Sequence, residues 1–92
     1  MAEIRIDPLD APGNGRRYRV TVLGEETTEH EVTVSEEEIA RLGGRFGDPA
    51  DLVRASFAFL LEREPNTSIL PSFELSVIGR YFPDYEREIT SG

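Results

Sequence analysis

The sequence predicts a small α+β domain, a three-stranded antiparallel meander followed by three helices laid on one face of the sheet. Three observations carry that reading. Apolar and polar side chains alternate in three segments before residue 35, the period of half-buried strands. A helix-capping signal at Ser35 then marks a switch in spacing. Beyond it, apolar residues recur three and four positions apart between Pro and Gly punctuation.

The strands are read at about 3–7 (EIRID), 17–23 (RYRVTVL) and 29–34 (EHEVTV). PLDAPGNG separates the first two, and GEETT suits a short hairpin between the second and third. Parity assigns Ile4, Ile6, Tyr18, Val20, Val22, Val32 and Val34 to one face. Arg5, Arg17, Arg19, Thr21, Glu29, Glu31 and Thr33 fall on the other. Arg facing Glu across neighbouring strands is the composition of a solvated face, each pair contributing about 0.2–1 kcal/mol.

Ser35 with Glu38 forms the capping-box pattern, and a short helix is predicted over 36–42, stopped by Gly43-Gly44. Asp48 caps a second helix with Pro49 at its first position, predicted over 49–64 and ended by Pro65. On a helical wheel its apolar residues, from Leu52 to Leu61, sweep roughly 200°, far more than the roughly 100° stripe of a surface helix. This helix therefore needs cover on two sides. The sheet supplies one; the other falls to the C-terminal helix, predicted over 73–82 with Leu75, Val77, Ile78, Tyr81 and Phe82 on one arc, or to a second copy of the chain. Pro83 stops that last helix, PDYEREI is read as a turn or brief helical tail, and the final TSG as frayed.

Ninety-two residues support one core, so residues 1–92 are read as a single domain. Zero cysteines exclude a disulfide framework, a thiolate metal site and a cysteine nucleophile. No run of 18 apolar residues is present, and MAEIRIDPLD lacks a basic start and apolar stretch; the cytoplasm is the expected compartment. The formal charge is -8, with Arg as every cation. Both halves are acidic: ten acids and six Arg precede Gly47, eight acids and four Arg follow it. A spread of negative charge disfavours nucleic acid, which selects basic stripes; it serves solubility or attracts a basic partner.

The chemistry-bearing motifs read as structural. His30, the one histidine, lies between Glu29 and Glu31 with no second histidine or nucleophile elbow to form a relay or metal cluster. EETTEHE lacks the alternating oxygen ligands and Gly turn of a calcium loop. GGRFG and PGNG lack the order of phosphate-binding loops, and Asn66-Thr67-Ser68 matches a glycosylation sequon without a secretory context. No enzyme activity, cofactor, metal or small-molecule substrate is expected. Two surfaces remain as candidates. Arg80, Tyr81, Phe82 and Tyr85 combine the residue types enriched at protein interfaces. Alternatively, Arg16, Arg17, Ser76 and Arg80 would contact nucleic acid if helix 73–82 acted as the second helix of a helix-turn-helix, although the seven residues from Pro65 to Pro71 exceed its usual turn.

The segments VTVSEEEIARLGG, PADLVRASFAFLLEREP and SILPSFELSVIGRYFPDYE resemble those of a group of small bacterial proteins with no assigned activity. The resemblance covers most of residues 32–85 and implies no functional residue. The expected function is a small non-catalytic, cytoplasmic protein-interaction module that binds a protein partner or itself; the alternative is a DNA-binding regulator using helix 73–82.

Overall fold

The computed structural model describes residues 3–10, 15–42 and 46–91. Four strands, β1 (Glu3–Leu9), β2 (Arg16–Leu23), β3 (Thr28–Val34) and β4 (Ser72–Glu74), form one sheet in the order β1-β2-β3-β4. Four helices accompany it: α1 (Glu36–Leu42), α2 (Pro49–Leu61), α3 (Val77–Tyr81) and α4 (Tyr85–Ser91). The first three strands make the antiparallel meander that their alternation predicts, while β4 joins β3 in parallel. A parallel neighbour requires a crossover connection, and α1 with α2 provide it.

Register places Ile4 opposite Val22, Ile6 opposite Val20 and Tyr18 opposite Val32, so the predicted inward set shares one face. Tyr18, Val20, Val22, Val32 and Val34 are buried there. The other face carries both charge signs, with Arg19 paired to Glu29 at 3.8 Å and Arg5 to Glu3 at 3.6 Å. These exposed pairs add little stability.

Caps start the helices. The Ser35 hydroxyl accepts the Glu38 amide at 3.1 Å, but the Glu38 carboxylate turns to Arg41 at 2.8 Å, so only half of the expected capping box forms. Asp48 accepts the Ala50 amide at 2.9 Å ahead of Pro49, fixing the start of α2. The end of α2 differs from the predicted 64. The helix stops at Leu61, and the amides of Arg63 and Glu64 both turn to the Leu60 carbonyl at 2.9 Å. Pro65 disfavours helical geometry at Glu64, so the last turn tightens and ends early. The Gly43-Gly44 stop predicted for α1 lies outside the described residues.

The largest correction concerns 73–82. No ten-residue helix forms; residues 72–74 are the fourth strand, and α3 is five residues long. The β3 edge decides this. The Glu31 amide donates to the Pro71 carbonyl at 2.8 Å and the Leu75 amide to the Thr33 carbonyl at 2.9 Å, bonds that a helix over 73–75 would forgo. The tail read as a turn or brief helical tail is helical, α4, and it includes Thr90 and Ser91, which were expected to be frayed. Gly92 of that tail lies outside the described residues.

The wide apolar arc of α2 is covered within one chain. Leu52, Val53, Ser56, Phe57, Phe59 and Leu60 are all buried. Phe57 meets His30 and Phe73 of the sheet at ring-centroid distances of 5.5 and 6.0 Å. Phe59 meets Phe82 and Tyr85 on the opposite side at 5.8 and 5.4 Å. A second copy is not needed to close this helix. Among the described residues no helix is long and apolar enough to cross a membrane.

Gly15 enters β2 at φ 126°, and a Cβ there would stand 2.7 Å from the backbone oxygen of Val34. Gly15→Ala should therefore lower unfolding stability by about 1–3 kcal/mol in urea titration, through backbone strain and this clash.

Candidate interaction groove

A groove of about 370 Å³ opens between the C-terminal end of α2, the stretch before β4, and α3. Leu60, Ile69 and Ile78 lie in its buried floor, while Leu70, Phe73 and Tyr81 line its sides. Leu70 is 50% and Tyr81 70% exposed, and they are the large apolar side chains most open to solvent among the described residues. Both lie on this one groove.

Its position follows from the local sequence. After α2 stops at Leu61, residues Asn66–Ser68 make a single 3-10 turn, and Ile69 extends with φ -78° and ψ 137°. Leu70 precedes Pro71, whose ring favours extended backbone there. Ile69 then points inward and Leu70 outward, the alternation of a strand.

A hydrogen-bond relay holds this stretch against β3. His30 is 3% exposed, and its Nδ1 donates to the Leu70 carbonyl at 2.8 Å. A carbonyl only accepts, so this contact puts a proton on Nδ1. In the neutral ring Nε2 then accepts from the Thr28 hydroxyl at 2.8 Å, and that hydroxyl in turn accepts from Asn66 Nδ2 at 3.0 Å. Asn66 also donates to the Glu26 carbonyl at 2.8 Å. With both ring nitrogens engaged, His30 positions the rim of the groove. Among the described residues no group of three or more His, Cys, Asp or Glu is placed to hold a metal.

The structure separates the candidate residues read from sequence. Arg80 and Tyr81 are exposed on α3, and Arg80 has no ion pair among the described residues. Phe82 is half-buried against Phe59. Tyr85 does not belong with them on a surface, since it is 1% exposed in the core. The Ser56 hydroxyl donates to the Leu52 carbonyl at 2.8 Å, so Tyr85 is the donor in the 2.6 Å contact between the two hydroxyls. Two ion pairs flank that buried bond. Arg41 of α1 reaches Glu86 at 2.7 Å, and Arg63 reaches Glu88 at 3.1 Å while its guanidinium lies 3.6 Å over the Phe59 ring.

The nucleic-acid set is dispersed. Arg16 and Arg17 lie on β2, two strands from β4, through the register Arg17 to Thr33 to Glu74. Arg80 belongs to α3 and Ser76 immediately precedes it, with helical backbone angles and a hydroxyl that makes no capping bond. The segment preceding α3 is a strand, so the expected helix 73–82 does not form as the second helix of a helix-turn-helix. Leu70 and Phe73 were not singled out from the sequence, whereas Val77 was read on the apolar arc of the last helix; the alternation Ser72-Phe73-Glu74-Leu75 is the signal that would have placed Phe73. No family model matches the chain, and neither the curated proteins nor the solved structures contain a match.

Burial pushes the Tyr85 hydroxyl up to about 12; the Ser56 contact and Arg41 oppose the rise, while the Glu38 and Glu86 carboxylates add to it. The ordinary value is 10.0, and a raised folded-state value means stability complete below pH 10 and lost as pH climbs toward about 12. Burial likewise raises Tyr18, with Asp48 adding to the shift and Arg16 opposing it. Unfolding free energy should fall by roughly 2–3 kcal/mol across that window on account of Tyr85. In Tyr85→Phe most of this slope should vanish, leaving the part due to Tyr18, as read by denaturant titrations at stepped pH. Separately, His30→Leu strands the Leu70 carbonyl and should cost about 1–3 kcal/mol in the same measurement at neutral pH.

Proposed function

We propose that the protein is a small non-catalytic interaction module of the cytoplasm that docks a segment of another protein in the groove beside β4. One observation carries this reading. Leu70 and Tyr81, the most exposed large apolar side chains among the described residues, converge on a single concave surface whose floor is continuous with the core. Exposed apolar area gathered in one place, on a chain otherwise rich in charge, marks a surface that another molecule covers. Tyr81 with the unpaired Arg80 beside it also supplies the residue types that anchor protein interfaces.

A different protein suits this surface better than a second copy. Each chain carries a formal charge of -8, so two copies approach against mutual repulsion, whereas a basic partner is attracted. Within the chain His30 serves the groove by fixing the Leu70 backbone, which accounts for the single histidine without chemistry.

The test is site-specific photocrosslinking in the cells that make the protein. A benzoylphenylalanine in place of Tyr81 should yield a discrete adduct with another polypeptide. That adduct should disappear in the Leu70→Glu background and be absent when the probe replaces Thr21 on the outer sheet face. Equal adducts at both positions, or an adduct only at twice the protein's mass, would sink the reading.

A further inference from the structure

The geometry points to strand addition at the free edge of β4, by an extended partner segment in which apolar residues alternate with Lys or Arg. This rests on the groove being a docking surface and specifies how it is filled. The bonds from Glu31 to the Pro71 carbonyl and from Leu75 to the Thr33 carbonyl turn residues 71, 73 and 75 toward β3. In a parallel ladder the intervening residues face the opposite way, so Ser72 and Glu74 present their backbone N–H and C=O groups to the open edge. Both residues are exposed, and no loop or cap bond among the described residues reaches those groups. Unmet edge groups of this kind accept an added strand.

The side chains fit the same occupant. Phe73 faces inward toward Phe57 and also lines the groove. A strand laid along β4 therefore sends its inward residues into the groove next to Phe73, between Leu70 and Tyr81. Its outward residues stand beside Ser72 and Glu74, with Glu31 one strand further, in register with Ser72. Glu31, Glu74 and the groove-lining Glu64 have no ion pair among the described residues, and Arg80 is the one cation on α3 beside them. Arg16, Arg17 and Arg54, also without ion pairs among the described residues, lie away from this edge on β2 and α2, and Arg19, across from Glu31, is paired to Glu29. Apolar residues inward and basic residues outward are the complementary pattern.

Amide correlation NMR on the full chain, titrated with a capped heptapeptide alternating lysine and valine, tests this. Saturable shifts are expected at the Ser72 and Glu74 amides together with Leu70 and Tyr81. N-methylation of the residues whose amides face β4 removes those bonds, so one of two methylated peptides should bind about tenfold more weakly. Loss on methylating lysines identifies an antiparallel strand, and loss on methylating valines a parallel one. A peptide alternating glutamate and valine should also bind about tenfold more weakly. Groove shifts without shifts at Ser72 and Glu74, or full binding by both methylated peptides, overturn strand addition while leaving the groove as a docking surface. Equal binding of the acidic peptide overturns the basic pattern. Absence of any groove shift with all the peptides overturns the assigned occupant, and edge shifts that depend on protein concentration alone assign the edge to a second copy instead.

Discussion

α2 is the element around which the chain is arranged, because its apolar residues occupy too wide an arc for one surface to cover. Thirteen residues long, it buries Phe57 toward the sheet and Phe59 away from it. A helix in that position needs two layers of protein around it, and the meander can supply only one. The residues after α2 must therefore return over it. They do so as α3 and α4, with Phe82, Tyr85 and Ile89 contributing to its outer cover. Ser56 makes the closest part of this packing possible. Its side chain is small, its proton satisfies the Leu52 carbonyl, and its oxygen receives the Tyr85 hydroxyl, so two buried polar groups satisfy each other.

The same return path creates the groove. To reach the outer side of α2, the chain passes the free edge of β3 and pairs with it for three residues before turning into α3. So short a strand limits the exposed edge, a protection against indiscriminate sheet extension. It also leaves the space past β4, lined by the end of α2 and by α3, open among the described residues. His30, Thr28 and Asn66 fix the stretch in place, so the groove is preformed and its rim is held by hydrogen bonds. A rigid rim lowers the ordering cost of binding.

Electrostatics act locally in some places and globally in others. The pairs Arg41–Glu86 and Arg63–Glu88 join α4 to α1 and to the end of α2; both are largely exposed, and Arg63 alone adds a cation-π contact with the Phe59 ring. Elsewhere the acids exceed their partners, and the net charge of -8 sets which macromolecules approach.

The sequence by itself determined the meander, its inward and outward faces, the Ser35 and Asp48 caps and the two-sided character of α2, since each is a local pattern of period, parity or capping chemistry. It put Arg80 on a surface but left Tyr81 between the inward arc of the last helix and an interface, and the structure exposes Tyr81. Only the tertiary structure decided the fates of Ser72–Glu74 and Tyr85. Phe73 and Leu75 fit strand parity while Leu75, Ile78 and Phe82 fit helical spacing, and the choice between them turned on the unpaired edge of β3, some 40 positions earlier in the chain. Tyr85 resembles a surface aromatic among acids until Ser56 is brought beside it. Both outcomes depend on hydrogen-bond partners that are distant in sequence, and a buried polar group is governed by the partner it finds rather than by its neighbours along the chain.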